Sequence, residues 1–361
     1  MQIWVFPAVA PIEKRTYIQD KKNGVYYFYP ELCEILKDKY DGQMRMLLSA
    51  GLWEKNYHNE LLRRNFPLQI LVDSGGFQYY GWNEMDRKRF YRSRERYYRW
   101  QIEVGDLVLG GDIPPEKSIV NNKMLEELLA VTQTNMDFQF SLDRNLSNRF
   151  INILHGTSPE NLRYWVDGVK GFPGVGWAIG AKFTGVVLGA TLQYLFLVEN
   201  NLLKPGDILH LFAMTGFSIF IPLVWLIQHT RPDLIISVDS SSYSLIRIGQ
   251  VHGPNGVIDF KDIRSGRVKL RSYDGVDIVD IPRNTDETIG KRLELTGLQN
   301  FMQKIWAVRD DLLENNFSKY EKILVSSGIK KYYRIWQTGG IDMLWNQFRH
   351  RVIEHGKAIE K

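Results

Sequence analysis

The apolar positions of this 361-residue chain fall into short runs separated by longer, helix-patterned stretches. The runs are Ile3–Val9, Met46–Ala50, Leu68–Val72, Leu107–Leu109, Phe150–Leu154, Gly176–Ile179, Ile208–Met214 and Leu234–Val238. Amphipathic segments such as Met124–Phe140 and Phe217–His229 lie between them. Strands alternating with helices imply parallel pairing through crossover units. About eight such units in roughly 250 residues predict a (β/α)8 barrel of TIM type, with a doubly wound open sheet as the alternative. After residue 250 the pattern changes. Val251–Ile281 alternates and carries turn signals at Pro254-Asn255-Gly256 and Asp274-Gly275, which predicts hairpins. From Asn284 onward the spacing is helical, with Phe301–Leu313 apolar every three or four residues. The expected organisation is a catalytic barrel over 1–283, and a helical extension over 284–361 packed on it.

Composition narrows the picture. At 44% hydrophobic and 24% charged residues the chain is an ordinary globular protein. Its net charge of +5 permits a polyanionic partner without requiring one. The lone cysteine, Cys33, excludes an internal disulfide framework and a zinc site built from several thiolates. The N-terminal apolar run lacks a preceding basic segment and reads as a first strand rather than a signal peptide. Leu209–Ile227 is nearly long enough to span a bilayer, but Thr215, Gly216 and Pro222 interrupt it. A buried strand, a turn and a buried helix are expected there, with no membrane contact and a cytoplasmic location.

Candidate chemistry sits at the ends of the apolar runs. LQILVD ends at Asp73, LVLGGD at Asp112 and LIISVD at Asp239. In a parallel barrel the C-terminal strand ends converge on one face, so three such carboxylates meet around one pocket. They suit a hard cation, or a division into nucleophile and acid/base. Singly, each better suits a helix cap or turn, whereas three in one chain point toward a site. Asp73 opens DSGGFQ, where Gly75 and Gly76 let backbone approach a ligand and Phe77 offers a ring for stacking. His155-Gly156 and Gly180-Ala181 end two further runs.

In family order, these segments resemble the guanine transglycosylases, which exchange a guanine in a nucleic acid for a 7-deazaguanine base. DSGGFQ (Asp73 to Gln78) matches that family's motif without change. Trp100–Pro115, His155–Arg163, Ala178–Phe183, Phe212–Gly216 and Val238–Leu245 are similar to its further segments, so the likeness runs from about residue 68 to 247. The resemblance implies that Asp239 attacks C1′ and forms a covalent glycosyl-enzyme. It implies that Asp73 is the general acid/base. Phe77 would stack on the base, while Ser74, Gly75, Gly76, Asp112, His155, Gly156, Gly180 and Ala181 would line and read it. The chemistry it implies needs neither metal nor redox cofactor and takes a free guanine or 7-deazaguanine as the second substrate, and the family's habit of dimerising suggests a homodimer.

Three departures shape the expectation. The family's zinc cluster of three cysteines and a histidine is absent, a His stands where the family has Gln, and Ala181 replaces a glycine. A compact zinc-free relative resembles the phage and bacterial branch that modifies DNA, with tRNA the alternative polynucleotide. Asp86–Trp100 carries seven basic residues against two acids, among aromatics. Its Arg87, Lys88, Arg92 and Arg96 are candidate phosphate contacts, and its aromatics are candidate stacking partners or core residues. From other classes, the alternatives are a non-catalytic nucleic-acid-binding partner subunit and a barrel hydrolase of small glycosides.

Overall fold

The computed structural model describes residues 1–8, 17–20, 25–28, 34–50, 68–75, 84–114, 122–156, 158–180, 187–240, 250–253, 256–259, 270–271, 277–278 and 287–359. The first strand is β1 (Gln2–Pro7), followed by an antiparallel hairpin of β2 (Tyr17–Asp20) and β3 (Val25–Phe28). β4 (Met44–Ser49), β5 (Leu68–Asp73), β6 (Leu107–Leu109), β7 (Phe150–Leu154), β8 (Gly176–Gly180), β9 (Ile208–Phe212) and β10 (Ile235–Ser240) complete the main sheet. Each of the eight apolar runs is a strand of it. The spatial order is β1-β10-β9-β8-β7-β6-β5-β4, all parallel. A parallel bridge from Ala8 to Leu47 brings β1 back against β4. The sheet is therefore a nearly closed barrel and not an open doubly wound sheet.

Helices cover the outside. α1 (Glu84–Val104), α2 (Asn122–Leu142), α3 (Pro159–Val169), α4 (Val187–Glu199) and α5 (Phe217–Thr230) connect β5 through β10 in turn. Leu209–Ile227 divides into β9, a turn and α5, as its composition requires. Among the described residues no helix is long and apolar enough to cross a membrane. Beyond β10 come the short antiparallel pairs β11 (Gln250–Gly253) with β12 (Gly256–Asp259), and β13 (Leu270–Arg271) with β14 (Asp277–Ile278). The expected turn residues Pro254, Asn255, Asp274 and Gly275 lie outside the described residues. The chain ends in α6 (Glu287–Leu313), α7 (Glu321–Ser327) and α8 (Ile329–Ile359).

Strand side chains alternate between two cores. Val5, Leu48, Val72, Val108, Ile179, Leu211 and Val238 point outward onto the helices. Phe6, Leu47, Leu71, Leu109, Ile151, Ile153, Ala178 and Ile208 fill the barrel interior. This phase decides the site. The period of two carries each inward position two residues further along its strand. From Leu47 it reaches Ser49, from Leu71 Asp73, from Ile153 His155, from Ala178 Gly180, and from Ile208 His210. Ile235 also packs on the interior cluster, so Ser237 and Asp239 face inward as well. An apolar layer in the middle of the barrel thus gives way to polar side chains at its C-terminal end.

The seam between β1 and β4 is held from outside. Arg309 of α6 donates to both carboxylate oxygens of Asp38 at 2.6 and 3.0 Å, and to the Ile3 carbonyl at 3.3 Å. Arg45 of β4 reaches the same carboxylate at 3.3 Å. Further on, α8 breaks at Gly339-Gly340, where Gly340 has φ +69°. It doubles back so that the Tyr332 and Phe348 rings meet edge to face. Glu199 at the end of α4 accepts from the Ile341 N–H at 2.8 Å, satisfying an amide donor just after this break.

Candidate active site

Seven neighbouring strand ends form the wall in the sequence Ser49, Asp73, Asp112, His155, Gly180, Ala213, Asp239, running from β4 to β10. The first two stand opposite each other in strand register, Ser49 beside Asp73. Asp73 accepts from the Gly75 N–H at 2.8 Å, a short turn made with Gly75 at φ +81°. Burial is the main influence on this carboxyl and pushes its pKa from 3.8 up to about 7. The negative charges of Asp239 and Asp112 raise it further. The Ser49 hydroxyl and the Gly75 amide oppose the shift without cancelling it. Near neutral pH Asp73 is therefore a proton donor as readily as an acceptor.

Asp112 follows β6 on a Gly110-Gly111 turn that helices α1 and α2 hold by side-chain amides. Gln139 accepts from the Gly111 N–H and Asn135 donates to the Gly111 carbonyl, both at 2.8 Å. Gln139 also donates to Gln101 at 2.7 Å, and Gln101 donates to the carbonyls of Val72 and Leu109. A network with this many fixed partners in a buried place leaves the turn one geometry. It also explains Gly111, since a Cβ there would lie 2.9 Å from Asn135 Cβ and from the Tyr98 ring. The Asp112 carboxylate meets His155 Nε2 at 2.7 Å, and Ser74 Oγ lies 3.4 Å from its Oδ1. His155 stands edge to face against the buried Trp165, whose indole N–H donates to the Ile153 carbonyl at 2.7 Å. Gly156 then turns at φ +130°.

On the far side, Asp239 Oδ1 accepts from the Ala213 N–H at 2.8 Å. Ala213 adopts φ +53°, an unusual conformation for a residue with a Cβ, and this points its amide at the carboxylate. Beneath lies His210, fully buried, with Nε2 3.3 Å from the same Oδ1 and Nδ1 2.9 Å from Ser237 Oγ. Among the described residues Asp239 Oδ2 makes no hydrogen bond.

No protein-family model matches the chain, and no curated protein sequence matches it either.

Of the residues singled out in the sequence, Asp73, Ser74, Gly75, Asp112, His155, Gly156, Gly180 and Asp239 all lie at the C-terminal end of the barrel. Gly76, Phe77 and Ala181 lie outside the described residues. Arg92 and Arg96 are exposed on α1, which follows the C-terminal end of β5 and so begins on the same side. Arg87 and Lys88 occupy its first turns, where only the backbone is described. One reading of this segment changes. Tyr97, Tyr98 and Trp100 are buried in the core, because the inner face of α1 packs on the barrel, and so they are not base-stacking surfaces. Among the described residues no group of three His, Cys, Asp or Glu side chains is arranged to hold a metal ion.

The sequence reading missed Ser49, His210, Ala213 and the amides Gln101, Asn135 and Gln139. A signal existed for some of these. His210 is the one ionisable residue in the run Ile208–Met214, at an inward position. Asn135 and Gln139 sit four apart on the face of α2 that turns to the barrel.

Proposed function

We propose that this protein is a base-exchange transglycosylase, which replaces guanine in a nucleic acid by a 7-deazaguanine base. One observation carries the reading. A carboxyl poised near pH 7, Asp73, faces across the mouth of the barrel a carboxylate, Asp239, with one oxygen held by a backbone amide and the other without a partner among the described residues. Substitution at a glycosidic carbon with a covalent intermediate needs this division into proton donor and nucleophile. The resemblance of DSGGFQ and of the ordered strand-end segments to guanine transglycosylases supplies the substrate class.

Asp239 attacks C1′, and the C1′–N bond breaks with its electron pair leaving on the base. Asp73 gives that base a proton. The incoming base then returns a proton to Asp73 as it attacks C1′, and the electron pair of the C1′–O bond reverts to Asp239. Asp112, oriented by His155 and Ser74, lies between the two and reads the polar edge of the base. DNA is the favoured polynucleotide and tRNA the second. A target base inside a duplex has to be turned out before C1′ is reachable.

The test is incubation with labelled guanine or a 7-deazaguanine and either duplex DNA or tRNA. Label entering DNA supports the reading in full, and label entering tRNA moves the substrate. Incorporation into neither ends it. Asp239→Ala is expected to abolish the covalent nucleic-acid adduct seen on denaturing gels. An adduct persisting in that variant would remove Asp239 from the nucleophile's role.

A further inference from the structure

The interior of the barrel holds a buried histidine for which the two-carboxylate chemistry gives no reason. His210 and Ser237 are each 0% exposed, on adjacent strands β9 and β10, and stand opposite each other in strand register. An imidazole sealed in an apolar barrel needs partners for both nitrogens. Nδ1 has Ser237 Oγ at 2.9 Å. Nε2 has only Asp239 Oδ1, at 3.3 Å and not aligned as a hydrogen bond among the described residues. The Phe212 ring closes off another side, edge to face at 4.7 Å. The tautomer follows from the partners. An ionised Asp239 can only accept, so the favourable arrangement puts the proton on Nε2 and has Ser237 donate to Nδ1.

We infer that His210 is the positioning residue for Asp239, fixing which oxygen attacks and steadying the carboxylate when it departs. The inference rests on the base-exchange reading. The Ala213 N–H is bonded to Oδ1 and His210 Nε2 stands 3.3 Å from the same atom, which leaves Oδ2 to form the bond to C1′. In the glycosyl-enzyme the ester keeps only a weak acceptor at Oδ1. In the second displacement the C1′–Oδ2 bond breaks and its electron pair spreads over both oxygens. The two donors then meet a full carboxylate, and the contact shortens to a charge-assisted bond. A hydrogen bond that tightens as charge develops acts on the transition state and not on binding. It therefore lowers the barrier to breakdown of the intermediate more than it aids substrate association. Ser237 acts one step further back, by holding the imidazole in the useful tautomer.

The experiment combines two measurements on the full chain. Nitrogen-15 NMR of the labelled imidazole is expected to show Nε2 protonated and Nδ1 as an acceptor, with the signal moving in Asp239→Asn. An Nδ1-protonated ring overturns the inference whether or not the protein is active. Rapid-quench trapping of the adduct then compares variants whose melting temperature confirms folding. In His210→Phe, breakdown of the adduct by incoming base is expected to slow roughly ten- to a hundredfold, with half-saturation by the nucleic acid unchanged. His210→Gln, which restores an N–H near the Nε2 position, is expected to recover most of that loss. Unaltered breakdown in His210→Phe, or a loss that His210→Gln does not rescue, overturns the role of His210 alone. If the wild-type protein forms no adduct with DNA or tRNA, the base-exchange reading falls and this role with it.

Discussion

At the scale of single residues, Asp73 makes the most direct claim about this protein. Its carboxyl is moved from 3.8 to about 7 because folding encloses it beside two other acids. The neutral form suits the folded state, so the stability tied to Asp73 is full below about pH 4 and is lost as pH rises through 7. A shift of this size corresponds to at most about 4 kcal/mol. Asp73→Asn should gain on the wild type as pH rises from 4.5 to 8, which urea unfolding at the two pH values measures. An equal difference at both values would contradict the burial. Base exchange itself should weaken above pH 7, as the departing base loses its proton donor. Asp73, Asp112 and Asp239 were legible in the sequence because an acid at the end of an apolar run is conspicuous. Ser49, His210 and Ala213 were not. Ser49 and Ala213 are ordinary near strand ends, and His210 gains its meaning only from a neighbouring strand.

Among the elements, the turn after β6 shows how helices hold the site. Position 111 has room only for glycine, since a Cβ there would press on the Asn135 Cβ and the Tyr98 ring at 2.9 Å. The Gly111→Ala variant is expected to lose about 1–3 kcal/mol of stability by overpacking against α1 and α2. Because it displaces Asp112, its exchange rate should fall by more than the stability loss explains. Thermal midpoint and single-turnover rate, measured together, separate the two effects. The strands themselves were readable as eight apolar runs, since a strand covered on both faces has no polar alternation to confuse it. Their ends were less so. The run Ile208–Met214 ends as a strand at Phe212, where Ala213 turns its amide toward Asp239.

The whole molecule is a barrel closed at one seam by groups far apart in sequence. Arg309 and Asp38 are 271 positions apart, both buried, and their contact joins α6 to the segment before β4. Removing one partner of a buried pair leaves a charge without its counterpart. Arg309→Met is expected to cost about 3 kcal/mol, towards the lower end of such losses because Arg45 still faces Asp38. Urea unfolding at neutral pH gives the value, and a change below about 1 kcal/mol would show that the seam does not depend on it. The remaining division is between chain-local and through-space information. By itself the sequence determined the alternation of strand and helix, the parallel class that such alternation imposes, and the acids at the strand ends. These are local matters of hydrophobic period and turn chemistry. Only the tertiary structure decided that the sheet closes, that odd-numbered positions of β5, β7 and β10 and even-numbered positions of β9 point inward, and that His210 lies beneath Asp239. Those facts depend on strand register and on which strands become neighbours, and no local pattern in the chain encodes either.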